Sequence, residues 1–332
     1  MRKFLALIMV VFVSLCAFAA CNGNTEDIMN ATKAPATDEG DKSMVPNKDQ
    51  VIVCFGDSIT EGMGMEKTDR YPAILKEKIN DKNFTVLNSG VGGEGSYTIC
   101  ARANALEFTL TNDIIFEKGV KEVLCDWKLF SGINGEEIKL RYGTMGRELP
   151  IKKLKIDGKN YTLRFQYGST EEEGRYYLGR TDVSKAETIT VGSKCEFDYS
   201  QYFNRPYCII ALMGANDKNI ETSVLISRYK AIEATTDRFI AIIPHFRPKA
   251  AAEFEEAFGD KCVNLYEYCT TEVFEDYGFE KTSDDEIDIN AGRMPRSVLY
   301  KNNVGDCHLN EKGYRALADL VYQKGVELGY WN

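Results

Sequence analysis

The sequence predicts an α/β protein whose parallel sheet is interrupted by a small all-β region. Short apolar segments alternate with segments of helical periodicity over residues 49–110, and this alternation resumes over residues 205–332. Between them, residues 111–204 carry short alternating segments and turn signals instead. Strands alternating with helices are typical of a parallel sheet covered on both faces. We therefore expect one α/β domain with residues 111–204 as an inserted β-rich domain.

The N-terminus predicts an export signal. Arg2 and Lys3 precede an apolar core, and small residues lead to Cys21, so that residues 1–20 resemble a bacterial lipoprotein signal peptide. We expect Cys21 to be lipidated, the alternative being an ordinary secretory signal cut nearby. Residues 21–48 are polar and predict a disordered tether. The expected location is therefore extracytoplasmic, with a lipid anchor as the only contact with the bacterial membrane.

Composition excludes some partners. The net charge is −9, and no run of Lys and Arg offsets it, which disfavours nucleic acid and anionic membrane surfaces. The ten cysteines show no CxxC pair and no metal-binding spacing. Free, buried cysteines are one interpretation, and the other is a disulfide or two among Cys100, Cys125, Cys195, Cys262, Cys269 and Cys307.

The first strand carries the most informative stretch. Residues 51–55 are apolar and partly β-branched, which predicts a buried strand, and Gly56 and Asp57 then form a turn that presents Ser58. A serine at such a turn suits a nucleophile, because its hydroxyl is exposed and held rigidly. A serine that merely caps the following helix is an equally good interpretation of this stretch alone.

The elements that follow continue the alternation. A helix is expected from Tyr71, and a strand is expected over residues 84–87. A glycine-rich loop spans residues 88–95, where backbone N–H groups can approach a ligand closely, and a helix over residues 97–108 follows it.

The interrupting region predicts antiparallel strands. Residues 135–142 alternate between apolar and polar side chains, and residues 188–193 read as a short strand. Asp157-Gly158 lies between two alternating arms and predicts a hairpin turn over residues 154–165.

The second half restores the α/β pattern. Strands are expected over residues 207–212, 238–244 and 262–265, with helices after each of the first two. An irregular acidic segment over residues 275–303 precedes a closing helix that starts after Asn310. Sites in parallel sheets lie at the carboxyl ends of the strands, where Ser58, residues 90–95, Asn216 and His245 fall.

The chain contains two histidines, His245 and His308. A serine nucleophile needs a base near neutral pH, and histidine is the usual one. His308, just before the closing helix, is the candidate base. His245 is interpreted as a pocket-wall or surface residue in preference to a catalytic one.

Four short blocks then occur in order, and each follows a predicted strand or precedes the last helix. The blocks are Gly56-Asp57-Ser58-Ile59, Asn88 to Glu94, Gly214-Ala215-Asn216-Asp217 and His308-Leu309-Asn310. Together they resemble the SGNH (GDSL) hydrolase superfamily, whose blocks cover residues 50–110 and 205–330 here. The resemblance implies a flavodoxin-like three-layer α/β/α sandwich, with the inserted β-domain outside the common pattern.

The resemblance also implies roles. Ser58 would be the nucleophile and His308 the base, and the oxyanion donors would be the N–H groups of Ser58 and Gly93 with the side-chain amide of Asn216. No metal or organic cofactor is implied. The family usually carries an aspartate three residues before the histidine, where this chain has Gly305. Either Asp306 takes that role from two residues before, or a backbone carbonyl orients the ring.

The expected function is that of a surface-anchored serine esterase. It would remove short acyl groups, acetyl above all, from carbohydrate through an acyl-enzyme on Ser58. One alternative is an O-acyltransferase with the same triad. The other is a glycan-binding protein with a vestigial hydrolase core, in which residues 111–204 hold the glycan; that region is otherwise a structural or lid element.

Overall fold

The computed structural model describes residues 47–141, 148–169 and 173–332. The predicted signal peptide, the lipidation site Cys21 and all but the end of the tether over residues 21–48 lie outside these ranges. Within them, no helix combines the length and the apolar character needed to cross a bilayer.

The strands are numbered along the described chain. They are β1 (Val51–Gly56), β2 (Thr85–Gly90), β3 (Phe108–Leu110), β4 (Ile114–Phe116), β5 (Glu122–Cys125), β6 (Phe130–Gly132), β7 (Lys153–Ile156), β8 (Lys159–Gln166), β9 (Arg175–Gly179), β10 (Glu187–Ile189), β11 (Lys194–Phe197), β12 (Cys208–Leu212), β13 (Phe239–Ile242) and β14 (Cys262–Val263).

The α-helices are numbered in the same way. They are α1 (Ser58–Glu61), α2 (Tyr71–Ile79), α3 (Ser96–Arg102), α4 (Thr222–Glu233), α5 (Ala251–Phe258), α6 (Leu265–Thr271), α7 (Val273–Asp276), α8 (Ser283–Asn290) and α9 (Glu311–Glu327). Short 3-10 turns lie at Lys67–Asp69, Pro248–Ala250, Gly259–Lys261, Arg296–Val298 and Tyr300–Asn302.

A parallel sheet forms the centre of the α/β part. In the described residues it has five strands in the order β14-β13-β12-β1-β2, and every pair is parallel. Counted along the sheet this is the 2-1-3-4-5 order of flavodoxin-like folds. Strand β1 is an internal strand between β2 and β12, which explains its unbroken apolar sequence. The predicted parallel sheet is confirmed.

The two faces of the sheet are covered by different helices. Side chains alternate along a strand, so Val53 and Phe55 pack with residues of α3, α4 and α5, whereas Ile52 and Cys54 pack with residues of α2, α6 and α9. The result is the three-layer α/β/α sandwich that was expected.

The antiparallel strands lie between α3 and β12 in the chain. In the described residues they form a seven-stranded sheet, β5-β9-β8-β7-β11-β3-β6, and a separate β4–β10 pair. In the seven-stranded sheet, the rings of Phe108 and Phe197 stack with their centroids 4.8 Å apart, and the ring of Phe130 lies edge-on to both. These rings belong to the same hydrophobic cluster as Val53 in β1, so the antiparallel region shares a core with one face of the parallel sheet.

A predicted helix and a segment expected to be irregular differ from the observed elements. The helix predicted over residues 97–108 ends at Arg102, because Asn104 adopts a left-handed conformation and pairs its side chain with both backbone groups of Phe197. The segment expected to be irregular contains α8, which begins with a capping box between Thr282 and Asp285.

None of the described cysteines forms a disulfide. Cys54, Cys208 and four others are buried, and burial raises the pKa of their thiols, so they act as small apolar side chains. The disulfide alternative is therefore not seen among the eight cysteines of the described ranges.

Candidate active site

Ser58 is the first residue of α1, directly beyond the end of β1. The helix cap is its neighbour Asp57, whose Oδ1 accepts the N–H of Ile59 at 3.0 Å. The other oxygen of Asp57 accepts the N–H of Ala215 at 3.3 Å, which ties the end of β1 to the loop after β12. Asp57 therefore caps helix α1, and the Ser58 hydroxyl has another partner.

That partner is His308. The Ser58 Oγ lies 2.7 Å from His308 Nε2, across 250 residues of chain, and the ring is only 1% exposed. On its other side, His308 Nδ1 lies 2.5 Å from Asp306 Oδ1. The structure thus joins the three predicted residues Ser58, His308 and Asp306 in one line of hydrogen bonds.

Asp306 reaches the ring through a tight turn. Its Oδ1 also accepts the backbone N–H of His308 at 2.9 Å, so the carboxylate folds back over the residue two positions on. Burial acts to raise the pKa of Asp306, but the hydrogen bonds from the His308 ring and backbone outweigh it and hold the pKa below its usual value. Asp306 is therefore a carboxylate at neutral pH, and its negative charge stabilises an imidazolium on His308.

The glycine-rich turn lies against Ser58. A Cβ on Gly90 would fall 2.0 Å from the backbone nitrogen of Glu61, so only glycine allows β2 to pass this close to α1. Gly92 donates its N–H to the buried carboxylate of Glu61 at 2.5 Å. Gly93 follows with φ +79°, a left-handed conformation that glycine adopts without strain.

The N–H of Gly93 donates no hydrogen bond within the described residues. The Ser58 N–H opens helix α1 and has no partner in that helix. Asn216, the third predicted donor, gives one amide hydrogen to the Glu94 carbonyl at 3.0 Å, and an amide carries two. This bond joins the loop after β12 to the glycine-rich turn.

A buried ion pair that sequence reasoning missed holds this turn. Arg102 is 2% exposed, and its guanidinium donates to Glu94 at 2.6 Å, to the hydroxyl and carbonyl of Ser89, and to the carbonyl of Gly56. Burial raises the pKa of Glu94 to about 7, and Arg102 opposes that shift. The ends of β1 and β2 are thus fixed by one side chain, whose only sequence signal was its charge on an otherwise uncharged helix.

The antiparallel region adds a wall to the site. Arg141 donates to the Gly93 carbonyl at 3.3 Å, and the Lys139 N–H donates to the Thr98 hydroxyl at 3.2 Å. Residues 138–141 are therefore not the strand expected over residues 135–142, because their polar groups bind the α/β part; Tyr142 lies outside the described residues.

A cavity of about 320 Å³ lies between this wall and two of the predicted oxyanion donors, Gly93 and Asn216. Most of its side chains are charged or polar, and they come from both regions of the chain. The lining residues are Gly93, Gly95, Tyr97, Thr98, Asn216, Asp217 and Arg228 from the α/β part, and Glu136, Glu137, Lys139 and Arg141 from the antiparallel region.

His245 is not at the surface. It is 1% exposed, and its Nε2 lies 2.8 Å from the carbonyl oxygen of Cys307, the residue between Asp306 and His308. Burial lowers the pKa of His245 to about 4, so the ring is neutral near pH 7.

Asp306, Cys307 and His308 also form the one grouping among the described residues that could hold a metal ion, with ligand atoms within 4.8 Å of one another. Both ring nitrogens of His308 already have partners, Ser58 and Asp306. This arrangement fits a proton relay between the three residues.

Comparisons with known proteins give distant likenesses. No protein-family profile matches the chain, and no curated protein matches it. Among solved structures, a member of the lipolytic protein G-D-S-L family from Veillonella parvula DSM 2008 is similar, with 13% identity and a TM-score of 0.34, over 84% of this chain and 97% of that one. An α/β hydrolase enzyme from the metagenome of Lake Arreo, Spain, is similar with 12% identity and a TM-score of 0.35, over 85% and 97%. Likenesses this distant assign no chemistry to the chain, so the chemistry of the site is derived from its own residues.

Proposed function

We propose that the protein is a serine ester hydrolase that forms an acyl-enzyme on Ser58. The observation that carries this proposal is the relay from Ser58 through His308 to Asp306, with distances of 2.7 and 2.5 Å. A hydroxyl held by a neutral imidazole, which is in turn held by a carboxylate, is the arrangement that activates a serine.

The residues suggest the following steps. The Ser58 Oγ attacks the ester carbonyl while its proton passes to His308 Nε2, and Asp306 stabilises the imidazolium. The N–H groups of Ser58 and Gly93 and the free amide hydrogen of Asn216 would receive the oxyanion. His308 then gives the proton to the leaving alcohol. Water, activated by His308, releases the acid and restores Ser58.

We further propose that the chain is a lipoprotein member of the SGNH (GDSL) superfamily, anchored outside the cytoplasm through Cys21. Support comes from the four ordered sequence blocks, and from the 2-1-3-4-5 strand order with Ser58 just beyond the end of the internal strand β1. Labelling with an alkyne fatty acid tests the anchor, and Cys21→Ala should abolish incorporation. Incorporation into that variant would contradict the proposal.

The proposed substrate is a carbohydrate that carries short acyl groups such as acetyl. The charged and polar lining of the cavity beside Gly93 and Asn216 supports a hydroxylated ligand and offers little to a long alkyl chain. The glycan-binding alternative with a vestigial core drew on the displaced aspartate. Asp306 contacts His308 directly, which favours an active hydrolase.

Ester hydrolysis by the purified full-length protein tests the activity. We expect turnover of 4-nitrophenyl acetate to exceed that of the octanoate, and acetylated oligosaccharides to lose acetate. Ser58→Ala should remove both activities. A Ser58→Ala protein with the wild-type rate would overturn the proposal, and acetyl transfer to an added oligosaccharide in place of acetate release would favour the acyltransferase.

A further inference from the structure

The ring of His245 joins the parallel sheet to the turn that carries two members of the relay. His245 follows β13, and its Nε2 contacts the Cys307 carbonyl oxygen at 2.8 Å across 62 residues of chain. A carbonyl oxygen only accepts hydrogen bonds, so the ring must carry its proton on Nε2. Burial lowers the pKa of the ring and holds it in the neutral form, and the bond to the Cys307 carbonyl selects this tautomer.

Several backbone hydrogen bonds of this turn are local. Asp306 donates its N–H to the Asn303 carbonyl at 3.1 Å, and Gly305 donates to the Asn303 side chain at 3.0 Å. The His308 N–H donates to the Asp306 carboxylate, and the His308 carbonyl accepts the N–H of Tyr300. The bond from His245 ties the Cys307 peptide, between Asp306 and His308, to the sheet that also carries Ser58.

The charge state of His245 suits this position. His308 is the titratable group that acts on it electrostatically, and each ring disfavours a positive charge on the other. A neutral His245 leaves Asp306 free to stabilise the imidazolium that forms on His308 during the reaction. A lysine or arginine at this position would donate the same bond but would oppose that imidazolium.

We propose that His245 is a positioning residue of the hydrolase, whose Nε2–H bond to the Cys307 carbonyl aligns His308 between Asp306 and Ser58. This inference rests on the proposed ester hydrolysis. It gives His245 no contact with substrate. It predicts that the bond affects the chemical step and leaves substrate binding largely unchanged.

Two variants of similar volume separate the hydrogen bond from packing. His245→Gln keeps an N–H donor near the Cys307 carbonyl, whereas His245→Leu fills the space without a donor. Steady-state hydrolysis of 4-nitrophenyl acetate by the full-length proteins gives kcat and KM separately. We expect His245→Leu to lose at least about tenfold in kcat with KM within about twofold, since small misplacements of reacting groups are costly. His245→Gln should stay within about threefold of the wild type.

Equal kcat values for His245→Leu and the wild type would overturn the inference, as would equal losses in both variants. If the wild type itself is no more active than Ser58→Ala, the proposed function fails first. Proton–nitrogen NMR of the folded wild type needs no variant. It should show His245 as the neutral Nε2–H tautomer between pH 6 and pH 8, and a proton on Nδ1, or a ring that titrates in this interval, would also overturn the inference.

Discussion

Asp306 Oδ1 lies 2.5 Å from His308 Nδ1 although a single residue separates the two in sequence. The same oxygen accepts the His308 backbone N–H, so one carboxylate holds both the ring and the chain that carries it. A tight turn thus replaces the three-residue spacing that the resemblance led us to look for.

Removing this carboxylate should slow the chemical step. We expect Asp306→Ala to lower kcat by about 10²- to 10⁴-fold with little change in KM, because the imidazolium loses its counter-charge and its orientation. Ester hydrolysis across a range of substrate concentrations measures both constants. Asp182→Asn, at an exposed aspartate of the antiparallel region, is the control and should behave as the wild type. Wild-type kcat in Asp306→Ala would show that another group orients His308.

Asn216 should matter in the transition state. Asn216→Ala removes the side-chain donor beside Gly93, and we expect kcat to fall by about 10²- to 10³-fold, as is typical when one oxyanion donor is lost. The variant also loses the bond to the Glu94 carbonyl. A thermal unfolding curve measured alongside the kinetics separates the two effects. Unchanged kcat in a stably folded Asn216→Ala would remove Asn216 from the oxyanion site.

The buried Arg102–Glu94 pair should be important for stability. Arg102→Met leaves a buried carboxylate without its cation, and we expect the free energy of unfolding to fall by about 3–5 kcal/mol. Adding Glu94→Gln should recover part of that loss. Urea unfolding measures both effects, with Arg164→Met as the control, because the exposed Arg164–Glu122 pair should contribute at most about 1 kcal/mol. A double variant as unstable as the sum of the single variants would contradict this account.

The buried His245 should make stability depend on pH. Its folded pKa of about 4 lies below the ordinary value of about 6.5, so the unfolded chain takes up the proton first as the pH falls. The contribution of the neutral His245 ring to the free energy of unfolding is complete above about pH 6.5 and is lost as the pH falls toward 4. Asp57 and Glu94, whose pKa values burial raises to about 6 and about 7, act in the opposite direction.

Comparing the wild type with His245→Gln isolates this one group, because Asp57 and Glu94 are present in both proteins. Urea unfolding at pH 6.5 and pH 5 should show the wild type losing about 2 kcal/mol relative to the variant. A constant difference between the two proteins at both pH values would mean that His245 is accessible to protons in the fold.

Local chemistry explains what could be predicted from the sequence. The apolar run of β1 is buried on both faces and therefore reads clearly as a strand. The hairpin at Asp157-Gly158 was found because both residues favour the left-handed conformations that its turn requires, with φ of 47° and 80°. The four blocks predicted the residues at the carboxyl ends of the strands, and the structure brings Ser58 and His308 together there.

What could not be predicted depends on contacts between distant segments. Helix α3 ends at Arg102 because the Asn104 side chain forms two hydrogen bonds with the Phe197 backbone, and no local sequence pattern predicts these bonds. Helix α8 was hidden by its acidity, since the buried Asp288 carboxylate is neutralised by Arg293 and Arg296. The contact of His245 with Cys307 likewise could not be predicted, because the two residues lie 62 positions apart in the sequence.

Trapping the acyl-enzyme would establish whether Ser58 carries the acyl group. The full-length protein is mixed with 4-nitrophenyl acetate, quenched in acid during turnover, digested and analysed by mass spectrometry. We expect an acetyl group on the peptide that contains Ser58 in the wild type, and none on that peptide in Ser58→Ala. An acetyl group on another residue, or acetate release by Ser58→Ala at the wild-type rate, would contradict this expectation.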